Sequence, residues 1–265
     1  MPKLKVAGID IYYEIHGEGA QTLAMIRGLG SDLCAWYEQT PVLSRVFRLL
    51  QFDNRGAGRS DKPTAPYSIR QMATDTKGLM DALGIGRTAM LGISMGGMIA
   101  QEFALNYPDR LTSLILGCTH FGGSKAVSAA PEILAAITAG PNVSGEKLEL
   151  QQRAIFCEET VLRRPEVMRK FREARSRYPI PPHAFACQIA AVMGHDTSAR
   201  LSSIRIPTLV LTGREDRLVP PANSRLIAER ISSAVLQELP GSHLFFAEYP
   251  DEFNRAVIDF VKAHP

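Results

Sequence analysis

The stretch MLGISMGGMIAQEFA, residues 90–104, changes character at its centre. Its left side completes an apolar run, Thr88–Ile93, that reads as a buried strand, while Met98, Ile99, Phe103 and Ala104 continue at helical spacing. Ser94 stands at the junction, with Gly92 two residues before it and Gly96 two after. A serine hydroxyl is a weak nucleophile unless its oxygen is exposed and a base takes its proton. A sharp strand-to-helix turn provides the exposure. It also brings strand and helix so close that side chains at the two flanking positions would collide, and both positions therefore favour glycine. The helix that begins there points free N–H groups and the positive end of its dipole at any negative charge that develops. Alone, G-x-S-x-G arises by chance in roughly one chain of this length in ten. A strand before it and a helix after it are the context that gives the pattern meaning.

Outward from this turn the chain keeps a strand–helix rhythm. Two short alternating segments, Leu4–Ala7 and Ile9–Ile15, meet at Gly8-Ile9-Asp10 and predict a hairpin. Apolar runs at Thr22–Ile26, Phe47–Phe52, Leu111–Cys118, Thr208–Gly213 and Val235–Gly241 predict strands. Helical spacing is found near Trp36–Leu43, Ser68–Leu83 (with Ser68 as N-cap), Asn223–Arg230 and Pro250–Ala263. Strands this uniformly apolar predict a mostly parallel sheet covered on both faces. From Thr119 to Arg200 the rhythm lapses and only helices are predicted. The clearest is Glu166–Tyr178, opened by Pro165 and ended by Pro179; a stripe of Phe185, Ile189 and Val192 follows, with Gly194 as C-cap. The expected organisation is an α/β core of residues 1–118 and 201–265 interrupted by a helical insertion, 119–200.

A serine nucleophile needs a neutral histidine as base, and the histidine needs an acid to orient it. Of six histidines, His16 sits at a hairpin end, His264 in the tail, His183 and His195 in the insertion, and His120 after a strand. His243 lies in LPGSHLFFAEYP, directly after the last predicted strand, at the kind of strand end where open parallel sheets assemble sites. It is the expected base. The segment LVLTGREDRLVP supplies Glu215 and Asp216 after another strand. The spacing Gly213-x-x-Asp216, with Pro220 beyond, favours Asp216, and Glu215 is the alternative. The order Ser, Asp, His along the chain distinguishes this arrangement from the other common serine hydrolases.

Composition narrows the field. The chain has 265 residues, 45% of them hydrophobic, which is enough for a substantial core, and a formal net charge of only +3 with basic residues scattered. No nucleic-acid footprint is expected. Cys34, Cys118, Cys157 and Cys187 are far apart and form no C-x-x-C or zinc spacing, so reduced thiols and no bound metal are expected. The N-terminus lacks a signal-peptide core and no run approaches the ~18 apolar residues of a membrane span. The expectation is a soluble, cytoplasmic protein that does not associate with membranes. Its oligomeric state is not set by the sequence, and a homodimer is compatible with it.

Several motifs together resemble the α/β-hydrolase fold superfamily: RGLG after the third strand, FDNRGAGRSDKP after the fourth, GISMGGMIAQEFALNYPDRLTSLIL around Ser94, GREDRLVP and PGSHLFFAEYP. The resemblance covers nearly everything but the insertion. It implies a mostly parallel eight-stranded sheet flanked by helices, with a helical cap inserted after the sixth strand and folded over the site. It also implies an oxyanion hole made by the backbone N–H groups of Met95 and Leu29, with Gly28 and Gly30 letting the loop pass close to substrate. Asp53 and Arg55 belong, on this resemblance, to a structural loop. Relatives usually begin the oxyanion turn with His-Gly, whereas here it is Arg27-Gly28. A structural ion pair is expected for Arg27 in preference to contact with an anionic substrate. The arginines Arg163, Arg164, Arg169, Arg172, Arg175 and Arg177 are expected on a solvated helix face.

The expected activity is hydrolysis of a carboxylic ester or lactone through an acyl-enzyme, with no cofactor. The N-terminal half resembles 3-oxoadipate enol-lactone hydrolases and small carboxylesterases, notably at GSDLCAW and FRLLQFDNRGAGRS. Gly28, Trp36, His120, Phe121, Phe185 and Met193 are the candidates for the small-molecule pocket. Three alternatives stay open. A carbon–carbon bond hydrolase acting on diketones would be separated by its products. A cofactor-free perhydrolase or haloperoxidase would require peroxide. A slow-turnover receptor of the same fold would give a single burst.

Overall fold

The computed structural model describes residues 2–140 and 143–265; Met1, and Pro141 and Asn142 of the 119–200 insertion, lie outside the described residues. In chain order the elements are β1 (Lys3–Val6), β2 (Ile9–His16), β3 (Thr22–Ile26), α1 (Thr40–Leu43), β4 (Arg48–Phe52), α2 (Ile69–Ala82), β5 (Thr88–Ile93), α3 (Met95–Asn106) and β6 (Leu111–Gly117). Then come α4 (Pro131–Thr138), α5 (Glu146–Ile155), α6 (Glu158–Arg163), α7 (Pro165–Ser176) and α8 (Pro182–Met193). The chain closes with β7 (Thr208–Gly213), α9 (Ala222–Arg230), β8 (Ala234–Leu239), α10 (Phe245–Glu248) and α11 (Pro250–Ala263).

The eight strands form one sheet in the order β1-β2-β4-β3-β5-β6-β7-β8. β2 runs antiparallel to β1 and to β4, and every other pairing is parallel. The β1–β2 hairpin turns through Ala7 and Gly8, both at positive φ (48° and 84°), which is the backbone a two-residue hairpin turn needs to match strand twist. Both faces of the sheet are covered. Met90 of β5 packs with Met72 of α2, Phe103 of α3 and Ile227 of α9 on one face. Its neighbours Leu91 and Ile93 pack with Trp36, Phe245, and Phe253 and Val257 of α11 on the other. Every residue of β5 and β7 is buried, so apolar side chains on both faces are what the sequence must supply there.

Ser68 caps α2 as its side chain accepts the Gln71 N–H at 3.1 Å. The single helix expected over Trp36–Leu43 is instead a 3-10 turn, Leu33–Trp36, followed by the short α1. Pro41 has no N–H to donate and fits only a first helical turn, so it restarts the helix. Gly194 caps α8 with a right-handed φ of −84°. Between β6 and β7 the described residues hold five α-helices, a 3-10 turn at Leu201–Ser203 and no strand; an isolated bridge, Gly122 to Asp196, ties the two ends of the helical segment together.

Candidate active site

Ser94, Asp216 and His243 follow the C-terminal ends of the parallel strands β5, β7 and β8, and the Arg27–Gly30 loop follows β3. Ser94 is held at φ 57° and ψ −121°, a conformation that L side chains rarely adopt. Its N–H donates to Gly117 O (2.9 Å), and its own carbonyl accepts from Gly97 N (2.9 Å) and Thr119 Oγ1 (2.8 Å). These bonds fix the turn. A Cβ on Gly92 would come 2.2 Å from Gly96 O, and one on Gly96 would come 2.2 Å from Ile26 O. The first contact is strand against its own helix; the second is the helix start against β3.

His243 Nδ1 and Asp216 Oδ2 are 2.8 Å apart, and both residues are buried. The other carboxylate oxygen of Asp216, Oδ1, accepts the N–H groups of Leu218 (2.9 Å) and Val219 (2.8 Å). Burial alone disfavours a charged imidazole at His243, but the Asp216 carboxylate and the Cys118 thiol together outweigh it and lift the His243 pKa well above the ordinary histidine value. The Cys118 thiol lies beside the pair; the nearest donor atoms of Cys118, Asp216 and His243 are all within 4.8 Å of one another. Glu215, the alternative acid, is exposed and outside the pair. His120 also reaches the cavity, but its Nδ1 accepts the Gly122 N–H (3.1 Å), so the neutral ring carries its proton on Nε2 and has no free lone pair for a base to use. Burial, then the neighbouring His243, keep His120 below the ordinary histidine value.

A cavity of about 210 Å³ is lined by Ser94, His243, Leu29 and Met95 together. No Ser94–His243 hydrogen bond is formed among the described residues; such bonds often close only around substrate. The backbone N–H groups of Leu29 and Met95 have no protein acceptor among the described residues, as befits a loop apex and the first residue of a helix. The loop itself is held from two sides. Asn54 Nδ2 donates to Arg27 O (2.9 Å). The buried Gln188 of α8 accepts Gly30 N–H on its Oε1 (2.8 Å) and donates from Nε2 to Arg55 O (2.9 Å). Asp53 accepts from Leu33 N and Arg59 N, and Arg55 grips Asp75 with two nitrogens, which makes FDNRGAGRS a structural loop.

Of the pocket candidates, Gly28, His120, Phe185 and Met193 line the cavity. Trp36 and Phe121 do not. Trp36 is fully buried under Phe246 and Arg27, and Phe121 is fully buried against Arg230. Both are core. The expected ion pair of Arg27 is also absent: its guanidinium lies 4.5 Å over the Trp36 ring and 4.7 Å over Phe246, with no carboxylate in pairing distance among the described residues. Arg175, expected on a solvated face, instead turns into the cavity and donates to Gly30 O (3.4 Å). Sequence reading missed Leu134, Ile137 and Gln151 from α4 and α5; nothing local marks them. It also missed Leu218, Val219, Leu244 and Phe246, which flank Asp216 and His243 and could have been found by that adjacency.

Residues 15–250 match the family model for the α/β-hydrolase fold, and the chain belongs to that family. It is similar to a protein of Azorhizobium caulinodans named "Putative carbamate hydrolase RutD", at 31% identity over 98% of each chain. It is also similar to 3-oxoadipate enol-lactonase 2 of Acinetobacter baylyi, at 28% identity over 96% of this chain and 94% of that one. Among solved structures, the enol-lactonase of Burkholderia xenovorans superposes with a TM-score of 0.83 at 31% identity, covering 98% of this chain and all of that one. The protein is therefore an α/β-hydrolase enzyme that acts on small molecules. No helix among the described residues is long and apolar enough to cross a membrane.

Proposed function

We propose that the protein hydrolyses a carboxylic ester or lactone through a covalent acyl-enzyme, with Ser94 as nucleophile, His243 as base and Asp216 as the group that orients it. The observation that carries this reading is the 2.8 Å Asp216–His243 pair, opening on the same cavity as a serine at positive φ. Ser94 attacks the carbonyl carbon as His243 takes its proton. Asp216 holds the Nδ1 proton, leaves the other ring nitrogen free to accept, and stabilises the imidazolium. The Leu29 and Met95 N–H groups receive the oxyanion. The imidazolium then protonates the leaving alcohol, and His243 activates a water that releases the acid. Residues 119–200 act as a cap whose α4, α5, α7 and α8 wall the cavity above a core of 1–118 and 201–265. Backbone donors and three side chains supply every step, so the reading calls on no cofactor.

A carbamate is the second reading, because a relative at 31% identity carries that activity in its name and the same attack on a carbonyl would cleave it. Purified protein and Ser94→Ala should be assayed in parallel on aryl esters, lactones, carbamates and diketones. The expected result is turnover of an ester or lactone that Ser94→Ala loses by at least a thousand-fold. Retention of near wild-type turnover by Ser94→Ala overturns the mechanism. A wild-type preference for the carbamate moves the function to the second reading.

A further inference from the structure

Among the described residues two arginines are buried, Arg27 and Arg55, 3% and 7% exposed. They are treated differently by their surroundings. Arg55 is held by both oxygens of Asp75. Arg27 has one weak side-chain contact, Nε to Ser31 Oγ at 3.3 Å, and its Nη1 is buried without any hydrogen-bond partner. The rings of Trp36 and Phe246 hold the guanidinium at 4.5 and 4.7 Å. Such contacts favour a cation, but they leave the in-plane N–H groups unsatisfied. Both Arg27 and Ser31 line the cavity that contains Ser94 and His243.

A second arginine meets the same cavity. Arg175 of α7 extends to the oxyanion loop, where its Nη2 donates to Gly30 O at 3.4 Å, and it too has no carboxylate within 4.0 Å among the described residues. The nearby carboxylate of Asp32 attracts both guanidiniums but forms an ion pair with neither; its Oδ1 accepts the Cys34 N–H at the start of the 3-10 turn. Burial is the main influence on Arg27 and lowers its pKa to about 10; Cys118, Asp32 and Tyr37 offset it only in part, and the adjacent Arg175 adds to it, so the charge gains from an anion that enters. Two guanidiniums that share a wall of the reaction cavity, with no carboxylate of the described residues in pairing distance of either, form an incomplete site.

We propose that Arg27 and Arg175 bind a carboxylate carried by the substrate, so that the preferred ester or lactone is a half-ester or ring bearing a free acid group. This deepens the hydrolase reading above and rests on it for the identity of the reacting bond. A carboxylate suits the site because its two oxygens match the planar guanidinium fork. The subsite also lies next to the chemistry: Arg27 precedes Gly28, whose Cβ position is 3.4 Å from Ser94 Oγ.

The test uses matched substrates and a chemistry-free binding arm. Monomethyl glutarate is compared with dimethyl glutarate in wild-type protein, and free glutarate is titrated calorimetrically into Ser94→Ala. The expected kcat/KM favours the monoester at least ten-fold, and that ratio falls at least ten-fold in Arg175→Gln. Glutarate is expected to bind Ser94→Ala and to bind at least ten-fold more weakly when Arg175→Gln is added. Arg27→Gln should act in the same direction; because Arg27 is buried, Arg175, which is only partly buried, keeps the test decisive if that variant fails to fold. A diester preference with no glutarate binding overturns the subsite while leaving the hydrolase intact. Glutarate binding that depends on Arg175 in a protein that cleaves neither ester supports the subsite and overturns the ester reading of the reacting bond. Inorganic phosphate binding as tightly as glutarate, without a monoester preference, overturns the assignment to a carboxylate.

Discussion

Asp216→Asn is the most informative single change. Asp216 Oδ1 accepts two backbone N–H groups, from Leu218 at 2.9 Å and Val219 at 2.8 Å, and Oδ2 faces His243 Nδ1 at 2.8 Å. An asparagine of the same shape has one acceptor and one donor to distribute. Turning its NH2 toward Leu218 and Val219 would bring donor against donor and leave two buried N–H groups unpaired, at about 1–3 kcal/mol each. The oxygen therefore stays on those N–H groups and the NH2 points at His243. The imidazole must then accept on Nδ1 and carry its proton on Nε2, the nitrogen that has to take the proton of Ser94. The base is present, correctly placed and in the wrong tautomer. A penalty of this kind is about four orders of magnitude in kcat, or about 5 kcal/mol of barrier. The Asp216 charge is also the largest of the influences that lift the pKa of His243, so whatever activity remains should have its acid limb at lower pH than wild type. Initial rates on an aryl acetate over pH 5 to 9, with a thermal melt to show the fold is kept, measure both. A variant within ten-fold of wild type, or one with an unmoved acid limb, would refute the tautomer argument.

The remaining expectations are independent of that change. In wild type, kcat/KM should fall as pH drops through a value above 6.5, because His243 works as a neutral base and its pKa is raised; a plateau that persists to pH 5 contradicts this. His195 is buried and its pKa is lowered by burial to about 4, so folding favours the neutral ring. Its contribution to stability is intact above about pH 6.5 and is lost as pH falls toward 4; by pH 4.5 this amounts to about 2–3 kcal/mol. Chemical denaturation at pH 7.5 and 4.5 should show a smaller acid loss in His195→Gln than in wild type, and an equal loss would sink the assignment. Gln188→Leu removes both hydrogen bonds that tie Gly30 to Arg55 and leaves the loop N–H unpaired. It should lower kcat by about ten- to a hundred-fold through misplacement of the Leu29 donor, with a smaller change in KM, measured by steady-state kinetics.

What was legible in the sequence follows from the range of each interaction. The strand-to-helix turn at Ser94 is local: Gly92 and the backbone of Gly96 exclude each other's side chains within one turn of chain, and the pattern is written where the contact is made. The other clash, of Gly96 with Ile26 O, reaches across the sheet, and no local pattern names β3 as its partner. Asp216 and His243 could be selected because both follow apolar strands, and a parallel sheet gathers the C-terminal ends of its strands on one edge. The cavity wall has no such rule. Whether Trp36, Phe121, Leu134 or Gln151 faces substrate depends on how α4 to α8 pack over that edge, and aromatic character alone selected two residues that belong to the core. Arg27 is the sharpest case. Its position in RGLG marks it as unusual, and an ion pair is the ordinary fate of a buried arginine, as Arg55 illustrates. Its actual neighbours come from the following loop, through Trp36, and from beyond His243, through Phe246. Those rings retain the charge without neutralising it, and a buried charge left in that condition on the wall of the cavity that holds Ser94 is the ground for proposing a ligand carboxylate as its complement.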